Sequence, residues 1–255
     1  MGFGTDRWLS GWGRVAEALK SSDPRWAGPY ELLERLGSGG MGQVFLGRSP
    51  GGRPVAVKVI RPELLAGQSD FRRRFAHEVA SARRVNALFT APVVDADPDG
   101  DMPWLVTAYV PGPSLADAVH DHGPMRADVV RALAAGLAEG LAAIHAVGVV
   151  HRDLKPSNVL LAGDGPRIID FGISRAVESS ALTSTGLIVG SPAFMSPEQA
   201  EARDAGPPSD VHAISRRPVK LWLRDACFRC QPLGLTRDMR RARMSQRCRV
   251  SYASR

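Results

Sequence analysis

Gly37-Ser38-Gly39-Gly40-Met41-Gly42 constrains the fold more than any other run in the chain, because strand-like segments lie directly on either side of it. Residues 30–36, 43–47 and 54–60 are short apolar runs separated by glycine-rich turns, the pattern of an antiparallel meander. Glycine permits positive φ and lets backbone amides approach an anion with no Cβ in the way. The run is followed by a strand rather than a helix, so it is not a dinucleotide fingerprint, and no Gly-Lys-Ser/Thr follows, which excludes a P-loop. By itself it reads more readily as a glycine hairpin with no ligand.

The pattern then turns helical. Phe71, Phe75, Val79 and Ala82 recur at helical spacing, residues 104–108 form another apolar strand, and Val130, Leu133, Leu137, Leu141 and Ile144 form a longer helical stripe. Strand-like residues 159–161 and 167–169 flank a Gly163-Asp164-Gly165 turn. The expected fold is α+β: a small antiparallel β unit with one helix over residues 29–108, a connection at 108–112, and a mainly helical unit over 113–211. Residues 1–28 lack a sustained period and are expected to be a loosely ordered extension with one helical turn near 15–19.

Charge divides the chain. Of 33 Lys+Arg and 26 Asp+Glu, residues 1–210 hold 21 and 24, a net of −3, while residues 211–255 hold 12 and 2, a net of +10. All three cysteines (Cys227, Cys230, Cys248) lie in that last stretch, so the body cannot be a disulfide scaffold. The most apolar stretch, residues 133–150, is interrupted by Glu139 and His145, and no membrane segment is expected. There is no signal pattern at the N-terminus and Asp6 occupies the place a myristoylation signal needs Ser or Thr, so a cytoplasmic location is expected.

Three further motifs carry chemistry. In Val55-Ala56-Val57-Lys58 the lysine sits mid-strand, where a buried ammonium needs a partner, and Glu78 on the next helix is the natural one. An edge-strand surface lysine is the plain alternative. His151-Arg152-Asp153-Leu154-Lys155-Pro156-Ser157-Asn158 is followed twelve residues later by Asp170-Phe171-Gly172. Asp153, Asn158 and Asp170 supply two carboxylates and an amide oxygen, hard donors of the kind that suit Mg²⁺ beside phosphate oxygens. A lone Asp in a turn is ordinary turn chemistry, but the ordered set with consistent spacing is not.

This set resembles the protein kinase superfamily, most of all the bacterial, eukaryotic-like Ser/Thr protein kinases, over roughly residues 28–210. The resemblance implies transfer of the γ-phosphoryl group of ATP, with Mg²⁺, to Ser/Thr of protein substrates. Gly37, Gly39 and Gly42 would cover the ATP phosphates, with Leu36, Ser38, Gly40 and Met41 in the same nucleotide-binding stretch. Lys58 would hold the α- and β-phosphates and pair with Glu78. Asp153 would accept the proton of the substrate hydroxyl, Lys155 would neutralise charge on the transferred group, and Asn158 and Asp170 would hold Mg²⁺. Val44, Ala56 and Leu160 match the positions that sandwich adenine, Thr107 the back of that pocket, and Ala108, Tyr109 and Val110 the hinge. Asp-Leu-Lys-Pro-Ser-Asn is similar to the Ser/Thr-specific loop. Residues 190–198 are similar to the peptide-receiving segment, with Ser196-Pro197-Glu198 for the family's Ala-Pro-Glu and Ser191 where Thr is commoner. Arg152 before Asp153 makes autophosphorylation at Thr183 or Thr185 an expectation.

The resemblance stops near Val211. Ser209-Asp210-Val211 matches the start of the helix whose Asp bonds the His-Arg-Asp loop, but Pro218 would break that helix. Residues 212–255 read as a non-native or disordered basic tail produced by out-of-frame translation or truncation. The competing readings are a basic arm for nucleic acid or acidic lipid, which thin aromatic interleaving makes unfavourable, and a Cys227-x-x-Cys230 zinc site lacking a fourth ligand. A lobe cut there is expected to leave the Val130–Ile144 stripe partly uncovered and Glu198 without its arginine, giving a poorly stable, weakly active chain. The alternative to an active enzyme is an inactive nucleotide-binding or interaction fragment.

Overall fold

The computed structural model describes residues 16–61, 69–85, 87–171, 193–201 and 203–215. Its strands are β1 (Glu17–Ala18), β2 (Trp26–Ala27), β3 (Tyr30–Gly39), β4 (Gly42–Arg48), β5 (Pro54–Ile60), β6 (Val93–Asp97) and β7 (Trp104–Ala108), all in one antiparallel sheet. The order is β1-β3-β4-β5-β7-β6, with β2 also paired to β3. Strand alternation decides which face does what. Val55, Val57 and Val59 of β5 join Phe45, Leu32, Tyr30, Trp104 and Val106 in one core, with the Tyr30 and Trp104 rings edge to face at 5.5 Å. Ala56 and Lys58 lie on the opposite face of the same strand.

That second face carries helix α1 (Ser69–Ala82), whose Phe71, Phe75 and Val79 pack with Ile60 and Leu105 as their spacing requires. Arg72 of α1 also donates to the carbonyls of Pro98 and Gly100, tying the helix to the β6–β7 turn.

Order begins earlier than the sequence implied. Residues 17–18 form a strand, not a helical turn, and with β2 they extend the sheet along β3. Asp23 between them is buried and receives the Arg35 guanidinium of β3 and the Lys20 amide at 2.7 Å. A buried carboxylate paired twice over to β3 fixes this segment, which periodicity alone does not register. The Arg35 contact holds the Asp23 carboxyl below its ordinary range.

The helical unit contains α2 (Leu115–His122), α3 (Ala127–Ala146), the hairpin of β8 (Val159–Ala162) and β9 (Gly165–Ile168), α4 (Pro197–Ala200) and α5 (Pro207–Ser215). By length and mean hydropathy alone α3 could cross a membrane. Its apolar stripe is instead core: Val130, Leu133, Leu137, Leu141 and Ile144 are all buried, against Val85, Leu115, Met125, Val149, Leu154, Ile168 and Phe171. The expectation of a partly uncovered stripe is therefore overturned. The β8–β9 hairpin, α2 and α5 supply the cover, and α5 runs on past residue 211 to Ser215, with Ala213 buried and Ile214 packed against the same core. Residues 216–255, with the three cysteines and the basic run, lie outside the described residues.

Candidate active site

The β8–β9 hairpin brings the proposed metal ligands together. Val159 pairs with Ile168, and one step further out the Ile169 amide donates to the Asn158 carbonyl at 3.0 Å. Asn158, ending a 3₁₀ turn, and Asp170, just after β9, thus lie at the same open end of one hairpin. The catalytic-loop residues converge there. The Lys155 ammonium donates to Asp153 Oδ2 at 2.6 Å, and Asn158 Nδ2 donates to the Asp153 carbonyl at 2.7 Å. Asn158 thereby commits its amide nitrogen and keeps its Oδ1, the atom type Mg²⁺ takes, as remaining acceptor.

The loop is suspended from α5. Asp210, 1% exposed, accepts from the backbone amides of His151 at 2.9 Å and Arg152 at 2.8 Å, as the resemblance implied. His145 Nε2 also meets it at 2.7 Å, a contact the sequence reading missed. Arg152 and Asp170 are the two described non-glycine residues with positive φ, 68° and 60°. Such backbones cost about 1–3 kcal/mol each and persist where neighbours over-determine them.

Electrostatics follow from burial and pairing. Burial pushes the His151 imidazole below its ordinary pKa, more strongly than Asp210, Asp153 and Asp170 pull it up. Its Nε2 faces the Ile169 carbonyl at 3.1 Å, which can only accept, so the neutral ring carries its hydrogen there. Burial alone would raise the Asp170 carboxyl, but the charge and hydrogen bond of Lys58, with His151 and Lys155, hold it below the usual carboxylate range.

Lys58 departs from expectation. It bonds Asp170 Oδ2 at 3.0 Å and hydrogen-bonds neither oxygen of Glu78, whose carboxylate is buried on α1. Asp170 is 112 residues away in sequence and out of reach of any local pattern, whereas Glu78 lies on the following helix one position before core-facing Val79.

The remaining positions that the resemblance assigns to nucleotide binding fall as follows. Gly37, Ser38 and Gly39 pair with Val44, Gln43 and Gly42 in a hairpin closed by Gly40 and Met41, and a register shift sets Leu36 in a bulge at its base. A Cβ at Gly37, Gly39 or Gly40 would meet nothing within 4 Å, so this hairpin has open space at those positions. Gly42 differs: a Cβ there would lie 2.0 Å from the Val59 carbonyl oxygen, so this glycine serves the β4–β5 contact. Val44 pairs with Lys58, and Ala56 pairs with Thr107, on the face that carries Lys58. Gly112 (φ 133°) lies against the Leu161 carbonyl, and Leu161 donates to Pro113. That contact brings Leu160 into a small cluster with the hinge residue Val110, while Ala108 and Tyr109 are half-buried above the same connection.

Glu198 is not left alone. The Ser209 hydroxyl donates to its carboxylate and holds it below its ordinary pKa. Ser209 stands one residue before Asp210, so the signal lay in a dipeptide read only for its second member. Gly172, Thr183, Thr185 and Ser191 lie outside the described residues.

Asp153, Lys155 and Asn158 thus converge on one loop, and Lys58 reaches Asp170 beside it from the sheet. The protein kinase domain model matches residues 30–249, past the break placed near Val211, and the chain belongs to the protein kinase family. Its relatives carry the names of Ser/Thr kinases. PkwA of Thermomonospora curvata, named a probable serine/threonine-protein kinase, is 59% identical over 78% of this chain and 27% of its own length. The serine/threonine-protein kinase AfsK of Streptomyces coelicolor is 55% identical over 78% of this chain and 25% of its own. The chain thus spans about a quarter of the length of these relatives. Among solved structures, the kinase domain of PknI from Mycobacterium tuberculosis aligns with a TM-score of 0.63 and 27% identity, covering 76% of this chain and 72% of that one.

Proposed function

We propose that the chain transfers the γ-phosphoryl group of ATP to Ser or Thr hydroxyls of protein substrates, itself included through Thr183 or Thr185. The observation that carries this reading is the cluster in which Asp153 accepts from Lys155 at 2.6 Å while Asn158 donates to its backbone at 2.7 Å. Asp153 orients the attacking hydroxyl and takes its proton, and Lys155, already at that carboxylate, neutralises the equatorial oxygens of the group in transfer. In a loose transition state little base strength is needed and positioning carries most of the rate. Lys58 serves the α- and β-phosphates, Ala56, Val44 and Leu160 enclose adenine, Thr107 backs that pocket, and the 108–110 backbone meets the adenine edge.

Asn158 Oδ1 and the Asp170 carboxylate fit Mg²⁺ in donor type, and the low pKa of Asp170 keeps it in the charged form a cation requires. Mg²⁺ bound there would neutralise charge on the β- and γ-phosphate oxygens. Lys58 bonded to Asp170 describes a resting arrangement, from which the lysine turns toward phosphate and Glu78 when nucleotide enters. Residues 29–211 are the catalytic domain in this reading, with a small lobe to 108, the hinge at 108–112 and a cytoplasmic location where ATP is supplied.

The test is autophosphorylation of the 255-residue chain with γ-labelled ATP beside Asp153→Asn and Lys58→Met. Label in the parent and in neither variant supports the enzyme. Label in none supports the nucleotide-binding fragment that the interrupted pattern after Val211 allows.

A further inference from the structure

Arg152 is held in a left-handed backbone immediately before Asp153, and its peptide groups are gripped from two sides. Asp210 takes its N–H at 2.8 Å. Its carbonyl accepts a hydrogen bond from Gln199 Nε2 at 2.7 Å. Gln199 belongs to the short helix α4, 47 residues further along the chain. We infer that Gln199 is a positioning residue for Asp153, clamping the Arg152 carbonyl so that the catalytic loop and the peptide-receiving segment move as one body.

The side chain is oriented by chemistry on both ends. Its Oε1 accepts from the Ser196 amide at 3.1 Å, closing a capping box in which the buried Ser196 hydroxyl accepts from the Gln199 amide. A carbonyl can only accept, so the Nε2 must be the atom facing Arg152. A glutamate at this position would satisfy the capping box equally well, since Glu and Gln are both favoured there. Only the amide can also donate to Arg152, so glutamine is the residue that does both.

Residue 152 needs such a grip. A positive φ in a residue with a side chain is stable only where its surroundings over-determine it, and Asp210 alone fixes one side of the residue. Losing the second anchor lets the Arg152–Asp153 peptide rotate toward an ordinary backbone, moving the Asp153 carboxylate relative to the Lys155 ammonium. The neighbouring Ser209–Glu198 bond holds the same α4 segment to α5, so helices α4 and α5 anchor the loop from both faces.

This inference rests on the phosphotransfer reading for its rate consequence but not for its structural one. The test compares the parent with Gln199→Glu, which keeps the cap and places an oxygen opposite the Arg152 carbonyl, and with Gln199→Met, which removes the donor without adding charge. Two readouts are taken on the full chain: amide hydrogen exchange of a peptide spanning residues 151–155 against one from α3, and steady-state kinetics. The expected result is faster exchange at 151–155 with α3 unchanged in both variants. Together with it, kcat falls by about tenfold or more at unchanged KM for ATP. Parent-like exchange and kcat in Gln199→Glu would overturn the inference and leave Gln199 as a helix cap alone. So would a loss in which α3 and the loop exchange faster together, or one confined to KM. If the parent transfers no phosphoryl group, the phosphotransfer reading fails, and the exchange comparison still decides the clamp.

Discussion

Replacing Asp210 with alanine removes the acceptor for two backbone donors at once. The His151 and Arg152 amides lie 2.9 and 2.8 Å from its carboxylate, which is 1% exposed, so water does not replace it without the site opening. A buried donor left without its acceptor costs about 1–3 kcal/mol, so the pair loses about 2–6 kcal/mol. His145, the third contact, is 17% exposed and can turn to solvent, adding little. Against a typical net stability of about 5–15 kcal/mol, this is enough to unfold a large share of the molecules or to release the catalytic loop locally. Asp210→Asn keeps one acceptor oxygen and should lose about half as much. Urea unfolding of the three proteins, followed by tryptophan fluorescence and far-ultraviolet circular dichroism, gives the difference. A loss below about 1 kcal/mol in Asp210→Ala would mean that the two amides find other acceptors, and the suspension of the loop from α5 would be refuted.

Gly42→Ala must push a Cβ against the Val59 carbonyl oxygen, so it should cost about 1–3 kcal/mol in a thermal melt, while Gly39→Ala and Gly40→Ala, facing open space, leave stability unchanged and weaken nucleotide binding. Leu137→Ala, at 1% exposure in the centre of the helical core, should lose about 2–5 kcal/mol by denaturant unfolding. Lys58→Met should cut phosphotransfer by at least about a hundredfold, as loss of one preorganised cation commonly does, with a far smaller change in melting temperature. The buried neutral His151 has a depressed pKa, so the unfolded chain binds its proton first as pH falls; stability should drop from about pH 6.5 downward. Asp170, also depressed, adds a second loss at lower pH, as it protonates below the ordinary carboxylate range. Stability rising between pH 7 and 5.5 in unfolding experiments would contradict the sign for His151, and stability rising as pH falls below about 4 would contradict that for Asp170.

What the sequence made visible was whatever depends on near neighbours. The alternation of residues 54–60 coincides with β5, the apolar run 104–108 with β7, and the stripe from Val130 to Ile144 lies within α3. The loop from His151 to Asn158 and the acid at 170 converge because a hairpin of only a few residues on each side joins them. What stayed hidden depends on distant partners. Residues 93–97 carry two aspartates and read poorly as a strand, yet β6 closes the sheet edge, with Asp95 bonded to Tyr30 and Arg83. Helix α2 was not expected from the sequence: it starts at a capping box of Ser114 and Asp117, whose second member is Asp rather than Glu or Gln. The partner of Lys58 and the fixing of residues 16–28 by Asp23 and Arg35 likewise depend on pairings that no local period encodes.

The most direct test of the account is calorimetric titration of a non-hydrolysable ATP analogue into the full chain, with and without Mg²⁺, beside Asp170→Asn. A cleft built from Lys58, Asn158 and Asp170 predicts saturable binding that Mg²⁺ tightens in the parent and leaves nearly unchanged in the variant. Binding that is absent in the parent, or equally strengthened by Mg²⁺ in both proteins, would contradict the claim that these side chains grip a magnesium nucleotide.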